Sequence, residues 1–374
     1  MKDNTKIQKT GISFFIVLWA VLFAGCFLSQ DIYAVVARYA SLGASAGLAA
    51  LFFTHVNPAE CFCKKNTEFF LMVAADVLTL VNLFVIGSNK GALLTVVNLL
   101  LVIYLADKVR FTDRQTQILA GCAAFFLLPW FAFVKWEYNF NMAGLVFLVI
   151  TILGILFLEL LREKCGLFYL KWIQLLLYLT GMLYTILYHS RCAMMGMTAF
   201  GVFLFGGKFL QKRKSFRRII IIAATAGSIL FTAFYVWLGT LPVEITFLYK
   251  SILSGREEIW AELWQALFKQ PFTGIGSSYR MKSFFIFEVH NGLFDILAVH
   301  GIVIFFLVLV LLIRKMWMLT ENMKGTAVER IAFAGMISML FTSYFENFFI
   351  VPPYLLVFFL LLTKSGAART AGGS

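Results

Sequence analysis

HNGLFDILAVHGIVIFFLVLVLLI, residues 290–313, contains one acidic residue, Asp295, and no Lys or Arg. A helix rises about 1.5 Å per residue, so a run of this length and composition crosses a hydrocarbon layer of roughly 30 Å. Similar runs lie on both sides of it. They predict about twelve membrane-spanning helices, near 11–29, 33–54, 68–87, 91–106, 117–135, 142–161, 167–188, 192–207, 219–239, 290–313, 328–345 and 350–363. Helices are required because lipid offers no partner for unpaired backbone amides, and no alternation of period two points to a barrel. With 61% hydrophobic residues, 42 Phe and only 14% charged residues, the chain is excluded from the soluble globules, whose apolar share is nearer half. The expected fold is an all-α polytopic membrane protein, a single membrane domain over residues 1–374 with one long extracytoplasmic loop at 240–289.

Orientation follows from Lys and Arg. With the N-terminus (Lys2, Lys6, Lys9) inside, alternate loops hold Lys64 and Lys65, then Lys108, Arg110 and Arg114, then Arg162, Lys164 and Lys171. The series continues through KFLQKRKSFRR (Lys208 to Arg218), then Arg314, Lys315, Lys324 and Arg330, and ends with Lys364 and Arg369. About 23 of the 32 basic residues then face one side, the bias of the positive-inside rule. Both termini are expected in the cytoplasm of a bacterium, the protein in its cytoplasmic membrane. Basic loops beside anionic lipid account for the +13 net charge without nucleic acid as a partner.

The cysteines carry little chemistry. Cys26, Cys122, Cys165 and Cys192 lie in or beside apolar spans, and the pair Cys61/Cys63 has no second Cys or His pair with which to hold a metal. No disulfide framework, sequence repeat or cofactor signature is present. The first apolar run is long enough to span and lacks a clean cleavage site, so it reads as a retained helix rather than a signal peptide.

The nine remaining basic residues are Arg38, Lys90, Lys135, Arg191, Lys250, Arg256, Lys269, Arg280 and Lys282. Five of them fall in the stretch from Leu241 to Gly301, against the topological bias, and an anionic ligand explains that cluster. Within it, SGREEIWAELWQALFKQP predicts an amphipathic helix with Ser254 as cap and Glu257 and Glu258 in the first turn. Its apolar stripe is Ile259, Leu263, Ala266 and Leu267, with Trp260 and Trp264 beside it, and it is expected to lie along the membrane surface. Pro271 and the glycines of FTGIGS stop it. Arg191, in LYHSRCAMMG, is either a snorkelling anchor or a guanidinium aimed at phosphate. His290 opens the next span with Asn291, where it reaches both water and a cavity between helices. Asp76, Asp295 and Glu346 are carboxylates in or at the edge of spans, where a charge needs a partner.

In this order the residues resemble the O-antigen polymerase and O-antigen ligase family of bacterial membrane glycosyltransferases. The likeness rests on Ser190-Arg191 at the mouth of a mid-chain helix, Arg256 with Trp260 four residues later, Pro271 with Gly274-x-Gly276, and His290-Asn291 with Gly301 ten residues on. It ends with Glu346 before the last apolar run, and covers roughly the second half of the chain. The resemblance implies a C-type glycosyltransferase architecture acting on undecaprenyl-diphosphate-linked glycan at the outer membrane face without a metal ion. Carried over by position, Arg191, Arg256 and His290 are catalytic, the two arginines binding the donor diphosphate and His290 serving as base or phosphate ligand. Arg280, Trp260, Asn291 and Glu346 would contact substrate. The expected activity is polymerisation of lipid-linked repeat units into surface polysaccharide (O-antigen, capsule or exopolysaccharide), with a flippase and a chain-length regulator as partners. One alternative is ligation of the glycan to lipid A core or another acceptor. A lipid-linked oligosaccharide flippase is the alternative of another class, disfavoured because a translocation path would spread charges through several helices.

Overall fold

The computed structural model describes residues 2–62, 66–132, 140–207, 213–242, 246–247, 250–251, 253, 255–282, 288–321 and 323–366. Cys63, Lys64, Lys65, Lys135, Lys208, Lys212, Ser254 and Arg369, named above, lie outside this set.

Nearly everything described is helix. In chain order the elements are α1 (Lys2–Phe27), α2 (Gln30–His55), the single turn α3 (Pro58–Cys61), α4 (Thr67–Ile86), α5 (Lys90–Leu105) and α6 (Asp113–Leu127), which runs into a 3-10 turn (Leu128–Phe131). Then come α7 (Phe140–Cys165), α8 (Leu170–Leu187), α9 (Arg191–Phe205), α10 (Lys214–Ala224) and α11 (Ala226–Gly239). A two-residue antiparallel pair, β1 (Thr246–Phe247) with β2 (Lys250–Ser251), precedes α12 (Arg256–Lys269). The chain closes with α13 (Gly292–Glu321), α14 (Ala327–Thr342) and α15 (Tyr354–Lys364). Polar side chains begin several of these helices by accepting an orphan amide: Asn66 caps α4, Asn89 caps α5, and Thr112 and Thr326 form capping boxes with Gln115 and Glu329.

The expectation of about twelve spans is overturned. Among the described residues six helices are long and apolar enough to cross a membrane: α1, α2, α4, α7, α8 and α13. A seventh is added if α10 and α11, bent by 46° at Thr225, count as one span. Apolar runs near 91–106, 192–207 and 350–363 form helices of only 16, 15 and 11 residues, and 11 residues of helix reach roughly 17 Å, well short of the hydrocarbon thickness. Burial explains their apolarity. Every residue from Tyr354 to Leu362 of α15 is buried in protein, so this segment is hydrophobic because it fills the core. The chain is nonetheless a multi-pass membrane protein. Its peripheral helices α4 and α8 are only 22% and 17% buried by protein over their most apolar windows, against 83% for central α7.

α13 is broken in its interior. Gly301 has φ 80° and ψ 174°, outside helical space, and the break frees backbone groups in apolar surroundings. Irregular backbone persists there only where neighbours satisfy those groups. The amides of Ile275 and Gly276 donate to the carbonyls of Ala298 and Val299 at 2.8 and 3.1 Å, and the Ile302 amide donates to Pro271 at 2.8 Å. From α4, Asn82 Nδ2 reaches the carbonyls of Thr273 and His300 at 3.0 and 3.1 Å. The Pro-x-x-Gly-x-Gly segment is therefore spliced into the break. Gly274 and Gly301 both have positive φ, and a Cβ on either would lie closer than 3.0 Å to the other's backbone.

The central helices share two polar ends. α7, α9, α13 and α15 start, and α1 and α14 finish, beside one cavity described below. The described N- and C-termini consequently lie toward the opposite end.

Candidate active site

The turn after α14 organises the first polar end. Ser343 Oγ donates to the Glu346 carbonyl at 3.0 Å, the Gly292 amide donates to the Ser343 carbonyl at 3.1 Å, and the Tyr344 hydroxyl donates to the carbonyl of Ala223. With its backbone pinned to α13 and α10, Glu346 presents its carboxylate to three donors. Arg256 Nη2 and Asn141 Nδ2 reach Oε1 at 2.7 and 2.9 Å, and His290 Nδ1 reaches Oε2 at 3.2 Å. These groups come from the start of α12, the start of α7, the residue before α13's cap and the turn after α14. Arg256 and Glu346 are both largely buried, so the pair is shielded from solvent.

His290 is held from both sides. Its Nε2 lies 3.1 Å from Glu288 Oε2 while Nδ1 faces Glu346, and a ring with a carboxylate on each nitrogen donates from both only as the imidazolium. Burial pushes this group down, but the hydrogen bonds to Glu288 and Glu346 and the Glu346 charge outweigh it and raise it from 6.5 to about 9. The same hydrogen bond from His290 holds Glu288 below the usual carboxylate value, against its burial. The His290 backbone is also unusual. At φ 53° it shares the left-handed region with His189, φ 51°, just before α9. Among the described residues only these two side chains other than glycine occupy that region, and both lie at this end.

The cluster opens into a cavity of about 390 Å³. Asn141, Glu288, His290, Glu346 and Asn347 form its polar wall, and Phe27, Met142, Leu145, Pro353 and Tyr354 are among the groups facing them. Polar groups able to donate and accept, set opposite apolar and aromatic surface, suit an amphiphilic ligand.

The predicted site residues divide accordingly. Arg256, His290 and Glu346 are brought into direct contact. Arg191 stands close by: its Nη1 donates to the Ser251 carbonyl at 2.6 Å, while neighbouring Ser190 reaches the Asn141 carbonyl at 3.4 Å. Asn291 is fully buried and its amide is engaged by protein, donating to the Tyr344 carbonyl at 3.0 Å and accepting from Ser228 Oγ and the Phe294 amide at 2.9 Å. It caps α13. Trp260 is also fully buried, its indole donating to the Val289 carbonyl at 2.7 Å, which fixes the backbone next to His290. Arg280 is exposed and does not line the cavity. The helix expected in the loop is α12, but Gly255, with φ 86°, precedes it. α12 packs onto the bundle with Trp264 against Phe294 at 4.8 Å and its indole on Thr232. Asp295 bonds Asn347.

Asn141 and Glu288 are additional members of the site. The signal for Asn141 was an amide opening an apolar run in NFNMAG, and for Glu288 a carboxylate two residues before His290. Among the described residues no group of three or more His, Cys, Asp or Glu is placed to hold a metal ion. Comparison with family models, curated proteins and solved structures gives no match to this chain.

Proposed function

We propose that this protein is a membrane glycosyltransferase that polymerises glycan repeat units carried on a polyprenyl diphosphate, passing the growing chain from one lipid carrier to a sugar hydroxyl on the next. The observation that carries the reading is the meeting of Arg256, His290 and Asn141 on Glu346 at the wall of an amphiphilic cavity. The order of Arg191, Arg256, His290 and Glu346 in the sequence, and its resemblance to bacterial polysaccharide polymerases, supports the same reaction. Outer-face placement of the cavity belongs to this proposal and rests on the bias of Lys and Arg.

The chemistry is a substitution at the anomeric carbon. The acceptor oxygen forms the new C–O bond, the bond from that carbon to the diphosphate oxygen breaks, and the diphosphate leaves with the electron pair. Charge grows on the leaving group, and preorganised cations in a water-poor site stabilise it. Arg256, Arg191 and His290 supply them. Because His290 is already protonated near neutral pH, it serves as a donor to phosphate, and the acceptor's proton passes to the Glu288/Glu346 carboxylate pair.

The test is the size distribution of surface polysaccharide in a deletion strain complemented with wild type or Arg256→Ala. Polymer should collapse to single repeat units displayed outside and be restored by wild type alone. Full-length polymer left unattached to its acceptor would indicate a ligase. Repeat units trapped inside would indicate a flippase, and an unchanged profile would end the reading.

A further inference from the structure

At the opposite end of α7, α8, α9 and α14 lies a second pocket of about 310 Å³, lined by Glu159, Arg162, Lys171, Gln174 and Arg330 with Leu175, Leu204, Phe205 and Ile331. Its acidic group is spent internally. Arg162 Nε and Nη2 donate to Glu159 Oε2 and Oε1 at 3.0 and 2.6 Å, and Gln174 Nε2 adds a third bond at 2.9 Å. Three cations thus line the pocket against one carboxylate that is already saturated. Lys171 rests over the Phe168 ring at 5.1 Å, and Arg330 donates to the Gly325 carbonyl. Among the described residues neither makes an ion pair. Exposed Glu163, with Asp113 near it, is a further carboxylate within electrostatic reach of Arg330, and Arg162 also acts against its charge.

Position and surroundings identify the ligand. Glu159 follows Asn141 by 18 residues of α7, roughly 27 Å along the axis, close to the thickness of a hydrocarbon layer. With the active-site cavity at one membrane surface, this pocket falls at the headgroups of the other. Phe205 in its wall is exposed, and α8, whose Lys171, Gln174 and Leu175 line it, is only 17% buried by protein over its most apolar window, so outward-facing apolar surface borders the pocket. Free phosphate has no use for that surface; an acyl chain does. We propose that this pocket binds the phosphate headgroup of an anionic membrane lipid, with Lys171 and Arg330 as its ligands and an acyl chain along α8. The proposal is independent of the reaction at the other end.

Native mass spectrometry of the full-length protein, titrated with phosphatidylglycerol or with phosphatidylcholine of the same acyl chains, tests it. Phosphatidylglycerol should bind preferentially. Lys171→Gln should weaken it about five-fold and Lys171→Gln/Arg330→Gln by about the square of that, the usual effect of one basic residue at an anionic membrane surface. Lys90→Gln, exposed at the start of α5, should leave binding unchanged. Lys171 is exposed and rests over the exposed Phe168 ring, so its single variant should keep the wild-type elution profile and report even if the double variant misfolds. Equal binding of the two lipids, undiminished binding in Lys171→Gln, an equal loss in Lys90→Gln, or displacement of the lipid by millimolar inorganic phosphate would each overturn the proposal.

Discussion

Each end of the helix bundle buries ionic groups, and two hubs, Glu346 and Lys315, are opposite in sign and in access. Near the candidate active-site cavity the hub is Glu346, a carboxylate receiving Arg256, His290 and Asn141. Toward the other end it is Lys315 in α13, with Glu68 and Asp107 each 2.6 Å from its Nζ. Lys315 is 1% exposed and serves only to join α4, the segment after α5 and α13, whereas Glu346 lines a cavity and holds a histidine charged. A buried ion pair by itself therefore does not mark a reactive site. Contact with a cavity and a titratable partner is what sets Glu346 apart from Lys315.

The largest effect should come from the closed hub. Lys315→Met leaves two carboxylates without their common cation, and breaking a buried pair in this way costs about 3–5 kcal/mol. Thermal unfolding in detergent should show that loss, while protein that stays folded keeps normal polymer length. Shortened polymer at wild-type stability would erase the distinction between the ends. Next is the splice in α13. Gly301→Ala adds a Cβ against the Phe272 and Gly274 backbone and imposes a positive φ on a side chain, together about 2–4 kcal/mol. Because α13 starts two residues after His290 and carries Lys315, this variant should lower stability and disturb both ends; loss at one end alone would show that the halves of α13 are uncoupled.

The helices themselves were legible in the sequence, since apolar runs end where caps and glycines stand. Their role was not. Run length treats α15 and α8 alike, yet the first is buried in protein and the second faces outward, and hydropathy has no term for which neighbour covers a side chain. Arg256, His290 and Glu346 were visible as polar residues at the edges of apolar runs. That Asn141 would meet them across 205 positions of sequence depends on packing. Gly274, Gly276 and Gly301 were visible as a motif, the first two as a helix stop, but their use in closing a broken helix was not. At the basic end, Glu159-x-x-Arg162 inside an apolar run was the overlooked sign of a charge pair meant for burial.

Titration sharpens the contrast further. His290 is raised from 6.5 to about 9 in the folded protein, so its protonation stabilises the fold in full below pH 6.5 and is lost as pH rises through about 9, on the order of 2–3 kcal/mol. Wild type should lose stability across that window relative to His290→Gln, measured as unfolding temperature at several pH values. A parallel decline in both proteins would mean the imidazole is not held as a cation. Polymerisation should fall over the same window if the imidazolium holds phosphate.

The smallest effect belongs to an ion pair at the basic end that has no burial behind it. Arg218 pairs with Glu321 and lies over the Trp317 ring at 5.6 Å, yet its side chain is 52% exposed and its partner's 34%. Water screens such a pair, so Arg218→Ala should change stability by less than about 1 kcal/mol, and less again at high salt. Polymer length should not change, since no part of the pair touches either pocket. If Arg218→Ala instead destabilised the protein as much as Lys315→Met, exposure would cease to separate the charges that hold the helices together from those that merely face the headgroups, and the comparison of the two ends would have to be redrawn around position rather than burial.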